Sequence, residues 1–297
     1  MQLLIYLLAY PFLWFISILP FPVFYRVSDA ICFLVHRVFG YRKKTVRSNL
    51  ELAFPDKAKA ELDIIEKKFY SHMCDLFLEM IKSMTISKAE IQKRFAFKNL
   101  ELIRHFEQKN QSVILMCGHY ASYEWMMSLG YEIKHKGFGI YMPVANKYFD
   151  RLVQRIRTRH GAYLISRFEA TKVIKQHKQD CLLAMYGFAS DQSPSSKKAK
   201  YWRTFLGVNV PVFTGAEYLA KELDHAVIFL DIQKKKRGFY ETEFKLITDN
   251  PKSLPDYQIT DIFTEMLEEQ IKAKPEFYLW THKRFKHKDK MPYTINN

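Results

Sequence analysis

An α/β fold, with a mainly parallel central sheet, helices on both faces and an N-terminal membrane-anchoring helix, is what three features of this 297-residue chain predict. Short apolar runs alternate with stretches whose apolar residues recur at helical spacing, the pattern of parallel strands joined by crossover helices. The first 25 residues hold no charged side chain. Composition, at 48% hydrophobic and 26% charged, is that of a folded chain with a large core, and no repeat or long linker divides it. The expected division is therefore residues 1–40 as membrane anchor and amphipathic helix, and residues 41–297 as one body.

Residues 1–25 are roughly as long as a bilayer core requires, so the sequence predicts a transmembrane helix there. No Lys or Arg precedes the apolar part and no small-residue cleavage site follows it, which argues against a signal peptide. Pro11, Pro20 and Pro22 each remove a backbone donor. A kinked helix resting in the interface is thus the rival to a full crossing. Residues 23–39 carry charge at Arg26, Asp29, His36 and Arg37 with apolar residues between, as in an amphipathic helix that Gly40 ends. Arg42, Lys43, Lys44 and Arg47 follow at once, and positive charge beside a membrane segment favours the cytoplasmic side for the body.

Within the body, Leu62, Ile65, Phe69, Met73, Leu76, Phe77 and Met80 mark a helix from Ala60 to about Met84. A charged helical stretch over residues 90–105 leads into a buried strand, Val113, Ile114, Leu115 and Met116, and Trp125 then opens another helix. Strands follow at residues 138–141, 162–165, 181–186 and 226–230. Helices are expected at 148–159, 170–178, 214–222 and 256–272.

A formal charge of +15 calls for an anionic partner: nucleic acid, anionic lipid headgroups or an acidic carrier protein. The basic residues gather at Arg42 to Lys44, at Lys197, Lys198 and Lys200, at Lys234 to Arg237, and from His282 to Lys290. No zinc-finger, RNA-recognition or homeodomain signature accompanies them, so nucleic acid is not expected. An aromatic share of 15% suits a membrane interface or a rich core. Cys32, Cys74, Cys117 and Cys181 form no CxxC pair and no metal-ligand spacing, so they read as free thiols in a reducing compartment.

His119 and Glu124 are the leading candidates for chemistry. Five residues on a straight helix turn by about 500°, which would leave the two side chains roughly 140° apart. They can meet if His119 sits in the strand-to-helix turn after Gly118 and Glu124 in the first helical turn. Glu124 would then accept from one imidazole nitrogen and fix the tautomer, leaving the other to take a proton from a hydroxyl. Ser122 as a hydrolase nucleophile lacks a GxSxG elbow. Phosphate loops, a dinucleotide fingerprint and HExxH are absent, and a metal at His119 and Glu124 would lack a third ligand at a recognisable spacing.

The segment from His119 to Glu124 resembles the HX4(D/E) block of glycerolipid acyltransferases. More narrowly, the chain is similar to the lipid A biosynthesis acyltransferases of Gram-negative bacteria, the lauroyl and myristoyl transferases. That likeness runs in order through the uncharged N-terminus, residues 41–55, Gly118 to Glu124, Arg157 and Arg159, Asp191-Gln192-Ser193-Pro194, Phe205 to Gly207 before Thr214-Gly215, and residues 275–286. It implies that His119 is the general base with Glu124 its partner. It also implies that Arg157 or Arg159, Asp191, Gln192 and Arg284 contact substrate. The implied reaction moves an acyl group from acyl carrier protein to a hydroxyl of a phosphorylated glucosamine lipid, an anionic glycolipid acceptor. It takes place at the cytoplasmic face of the bacterial inner membrane and needs neither a metal nor an organic cofactor. A lysophospholipid or aminolipid acceptor, and a catalytically silent basic membrane-binding protein, are the alternatives. One departure is the run Ser193 to Lys198, which is more polar and basic than the family's segment after Asp-Gln.

Overall fold

The structure, a computed structural model, describes residues 1–195 and 199–290; Ser196, Lys197 and Lys198, part of one basic cluster, lie outside the described residues, as do residues 291–297. Helices α1 (Gln2–Ile18) and α2 (Phe21–Cys32) meet at Leu19 and Pro20, and a π-helical turn (Phe33–Val38) extends α2. Helices α3 (Lys43–Ala53), α4 (Lys59–Lys82) and α5 (Lys88–Arg94) precede β1 (Phe95–Phe97), α6 (Glu101–Gln108) and β2 (Val113–Cys117). A 3-10 helix (Tyr123–Tyr131) separates β2 from β3 (Lys136–Tyr141), followed by α7 (Lys147–Thr158), β4 (Tyr163–Ser166), α8 (Ala170–Gln179) and β5 (Ala184–Ala189). A hairpin, β6 (Tyr201–Phe205) with β7 (Val208–Val212), leads through α9 (Gly215–Leu223) to β8 (Ala226–Lys236), β9 (Phe239–Thr248) and α10 (Gln258–Ala273).

Among the described residues, seven strands form the main sheet in the order β1-β9-β8-β2-β5-β3-β4. All neighbouring pairs are parallel except β8 with β9. Successive strand residues face opposite sides of a sheet. Every residue of β2 is buried, as are Ala226 to Ile232 of β8, so the centre of the sheet is covered on both faces. The predicted mixed fold with a mostly parallel sheet is therefore present.

Several elements depart from the expectation. The stretch 90–105 is two helices split by β1, because Phe95 and Phe97 turn into the sheet edge beside β9. The strand expected at 181–186 begins three residues later, since Cys181 takes a left-handed conformation (φ 54°) that ends α8's turn. No transmembrane helix is found: among the described residues, none is long and apolar enough to cross a membrane. Helix α1 has 17 residues, about 26 Å at helical rise, contains Pro11, and stops at Leu19 before Pro20.

The N-terminal helices pack on the body through α4. Tyr25 and Ser28 of α2 bond to Glu79 and Asp75 of α4, and Lys82 donates to the carbonyls of Ser17 and Leu19 at the end of α1. Arg237, in the β8–β9 turn, joins Asp75 to Asp29 of α2. At that turn Gly238 has φ +72°, and a Cβ there would collide with the Tyr25 hydroxyl.

Candidate active site

Register in the sheet brings the site together. Strands β2 and β5 are parallel neighbours with Cys117 opposite Ala189. His119 and Asp191 each lie two residues beyond that last pair, so the two loops leave the same edge of the sheet side by side. The backbone seals the start of the exit, with Ser190 N–H donating to the Cys117 carbonyl. Residues just past the carboxyl ends of parallel strands are where open α/β sheets present ligand sites.

The His119 Nδ1–H donates to Asp191 Oδ1 at 2.6 Å. Asp191 is 4% exposed while the His119 side chain keeps 19%. Burial opposes a charge on the imidazole, but the Asp191 carboxylate, by charge and hydrogen bond, more than offsets it and holds the His119 pKa above its ordinary value. Burial likewise pushes the Asp191 carboxyl up, and His119 with backbone donors outweighs it, leaving Asp191 below the usual carboxylate range. An ionised carboxylate accepts only, so the neutral imidazole carries its proton on Nδ1 and presents a lone pair at Nε2. The Gln192 amide lies 3.3 Å from that Nε2, and the Tyr123 ring meets the imidazole edge-on at 5.0 Å.

Glu124 does not occupy the place the sequence assigned it. Its carboxylate takes a two-point grip from Arg157, Nε to Oε2 at 2.8 Å and Nη2 to Oε1 at 2.5 Å, and Asp191 fills its expected role at Nδ1. The reason is local: residues 123–131 wind as a 3-10 helix rather than an α-helix, which directs Glu124 toward α7. Helix α7 starts at the Asn146 cap, whose side chain accepts from Tyr148 N–H and Phe149 N–H, and buries Leu152 and Ile156. Arg157, in its last turn, then faces Glu124. The two charges act on His119 in opposite senses, Glu124 raising its pKa and Arg157 lowering it.

Arg159 stands apart from this cluster, whereas Arg284 is buried close enough to Asp191 to feel its charge. Arg159 closes α7 and donates to the Met84 carbonyl at 2.8 Å, beyond the end of α4. Arg284 is 2% exposed, donates to Ser193 Oγ and the Pro211 carbonyl, and lies over the Phe205 ring at 4.8 Å. It ties the loop after Gln192 to β7 and the C-terminal segment.

The turn carrying His119 is over-determined by long-range contacts. Ala121 adopts a left-handed backbone (φ 49°), uncommon for a residue with a Cβ. Its N–H donates to the Phe277 carbonyl, Leu279 N–H donates to the His119 carbonyl, and Tyr120 bridges Tyr278 as a short antiparallel pair. Asn49 of α3 secures that C-terminal strand through the carbonyls of Trp280 and His282. Gly118 leaves room for α10, because a Cβ there would sit 2.5 Å from Leu267 Cδ1. His282 is half-buried near Asp191 and accepts from Ser193 N–H at 3.4 Å; desolvation pushes its pKa down to about 4. Sequence reasoning assigned no part to Ala121, Asn49, Tyr123 or His282, although all four fall inside segments that carried the resemblance.

Among the described residues, no group of three or more His, Cys, Asp or Glu side chains is placed to hold a metal ion. The described chemistry is a hydrogen-bonded imidazole–carboxylate pair whose second nitrogen meets only the neutral Gln192 amide, next to a carboxylate–guanidinium pair. Such a pair can take a proton from an incoming hydroxyl.

Sequence comparison gives the site its context. Residues 1–287 match the family described as bacterial lipid A biosynthesis acyltransferase. A lipid A biosynthesis acyltransferase of Haemophilus influenzae is 24% identical over 90% of this chain and 86% of its own length. The lipid A biosynthesis lauroyltransferase of Escherichia coli is 24% identical over 92% and 89%, and the myristoyltransferase of the same organism 21% over 88% and 81%.

Proposed function

The chain belongs to the bacterial lipid A biosynthesis acyltransferase family, and from that premise we propose that it moves a fatty acyl group from the thioester of acyl carrier protein to a hydroxyl of a lipid A precursor. One observation carries the assignment of the base: His119 Nδ1 is committed to the Asp191 carboxylate at 2.6 Å, while Nε2 meets only the neutral Gln192 amide at 3.3 Å on a side chain that keeps 19% exposure. An alcohol attacks a thioester slowly until a base removes its proton in the transition state. In this reading Nε2 takes the hydroxyl proton as the oxygen attacks the thioester carbonyl. The tetrahedral intermediate then collapses, the C–S bond breaks, and the imidazolium returns the proton to the departing thiolate. Asp191 stabilises the imidazolium, as an orienting carboxylate does in other base–nucleophile pairs. Arg157, fixed by Glu124 through Nε and Nη2, supplies positive charge near the intermediate's oxyanion.

Location at a membrane surface is part of the same proposal. Leu4, Leu8, Phe12 and Phe15 of α1 are 58–70% exposed, as are Phe33 at 61% and Phe39 at 75%. Apolar area of that extent on a helix too short to span fits a helix lying in the headgroup region. Arg42, Lys43 and Lys44 follow it and suit anionic headgroups on the cytoplasmic side of the inner membrane.

The test uses the full chain in detergent with a radiolabelled acyl carrier protein thioester and, separately, a lipid A precursor, a lysophospholipid, or no acceptor. Label in the lipid A precursor is the expected result. Label in the lysophospholipid alone would replace the acceptor, and salt-sensitive vesicle binding without transfer to any lipid would reassign the chain as a basic membrane-binding protein.

A further inference from the structure

A cavity of about 920 Å³ opens beside the catalytic cluster. Its wall begins at Ser193, two residues after Asp191, and runs to Arg167 just past β4, Lys200, the start of α9 at Thr214 and Gly215, and Tyr257. Strands β4 and β5 are parallel to β2 within the same sheet, so Arg167 and Ser193 leave the edge that presents His119. Its size is at the upper end for small-molecule sites.

The charges lining it divide into paired and unpaired. Glu217 accepts from Thr260 N–H and Oγ1–H and lies 3.4 Å from Lys221; Asp256 holds the same lysine at 2.8 Å, and Glu222 holds Lys175 at 2.6 Å. Arg167 and Lys200 have no carboxylate partner among the described residues. The Arg167 guanidinium is instead held over the rings of Phe168 and Phe213, at 5.6 and 5.9 Å. The first turn of α9 adds backbone N–H groups that Thr214 does not cap, at a glycine where a Cβ would meet nothing. Tyr257, stacked on Tyr201 at 4.2 Å and 3°, makes a flat aromatic wall. Two free cations, open helix N–H groups and a flat ring suit a sugar carrying a phosphate.

We propose that this cavity receives the phosphorylated sugar head of the acceptor, with Arg167 and Lys200 as its charge partners, while the acceptor hydroxyl lies at His119. The proposal rests on the acyltransferase reading, but binding tests it without turnover. Titration of the full chain with glucosamine 1-phosphate, glucosamine and inorganic phosphate, followed by calorimetry, should give saturable binding of the sugar phosphate alone. Arg167→Gln and Lys200→Gln, both at exposed positions, should each weaken it about tenfold. In turnover they should raise KM for the phosphorylated acceptor by a similar factor, keep kcat, and leave a phosphatase-treated acceptor unaffected. Inorganic phosphate binding as tightly as the sugar phosphate would reduce the cavity to an anion site and overturn the proposal. So would unchanged affinity in both variants, or no saturable binding. Sugar-phosphate binding that responds to both substitutions in a protein without acyl transfer would uphold the cavity and sink the acyltransferase reading instead.

Discussion

Residues 119–124 join two clusters of buried carboxylates that share their chemistry and differ in access. On one side are Asp191 with His119 and Glu124 with Arg157. On the other are Glu79 and Asp75 of α4, 0% and 1% exposed, where Glu79 receives hydroxyls from Tyr25, Tyr240 and Ser122, and Asp75 receives Ser28 and Arg237. Every acceptor of the second cluster is turned inward, and together they join α2, α4, the β8–β9 hairpin and the turn itself. In the first cluster one nitrogen, Nε2 of a 19% exposed imidazole, meets only the neutral Gln192 amide at 3.3 Å. On the proposed reading this difference separates a structural buried acid from a working one: full satisfaction by buried partners makes scaffold, and a lone pair held only by a displaceable amide on a partly exposed ring makes chemistry.

The largest effect that would break this contrast lies at the imidazole of His119. His119→Ala should lower acyl transfer per folded molecule by about 10²–10⁴-fold, while leaving the buried Asp191 carboxylate without its partner costs about 1–3 kcal/mol of stability. Asp191→Asn should approach the same loss, because an amide oxygen neither stabilises the imidazolium nor enforces the Nδ1–H tautomer as a carboxylate does. Initial rates with labelled thioester decide both; a near-wild-type rate in His119→Ala would remove the distinction.

The closed cluster should respond in the other variable. Glu79→Ala leaves three hydroxyls without their acceptor and a cavity in the core, at a cost of about 3–5 kcal/mol. Urea unfolding measures that loss, and turnover per folded molecule should fall less than tenfold. An Ala variant of full stability but no turnover would place Glu79 with the catalytic groups.

Acidity separates the clusters again. Burial, assisted by Asp75, pushes the Glu79 carboxyl up to about 7. A folded-state pKa above the unfolded one means the native protein binds the extra proton between about pH 4.5 and 7, so this contribution is complete at low pH and is lost as pH rises through that window. The change is at most about 3 kcal/mol, and Glu79→Gln should flatten it in stability measured against pH. His119 is also raised, and its neutral form is the base, so the rate should climb with pH through a midpoint above the ordinary histidine value of 6.5. Asp191→Asn leaves burial less opposed and should move that midpoint down.

How much of this was legible in the sequence follows from range. The apolar run at 113–116 fixed β2, and the position of His119 after it, because burial on both faces is a local signal. The hairpin of β6 and β7 was missed, although Leu206 and Gly207, both with positive φ (49° and 79°), form its two-residue turn. Strand β9 was missed too, despite Tyr240, Thr242 and Phe244 alternating inward with charged residues outward. The pairing of His119 with Asp191 rather than Glu124 was beyond reach, since it depends on the register of β2 with β5 across 72 residues. The zip of residues 277–279 onto the His119 turn depends likewise on packing that no local spacing encodes.

The smallest effect tests which arginine belongs to the open cluster. Arg157 and Arg159 are two residues apart, and the sequence left them equivalent. Their positions at the end of α7 send one to Glu124 through two nitrogens and the other to the carbonyl of Met84. Arg157→Lys keeps the charge and loses the two-point grip, so Glu124 keeps a partner in a looser geometry; about a tenfold fall in kcat is expected, with little change in KM. Arg159→Ala removes one exposed hydrogen bond and should stay within about twofold of wild type in rate and within about 0.5 kcal/mol in stability. Steady-state kinetics on the pair reads the difference directly. Equal losses would mean that charge at the end of α7, and not the grip on Glu124, is what the site uses.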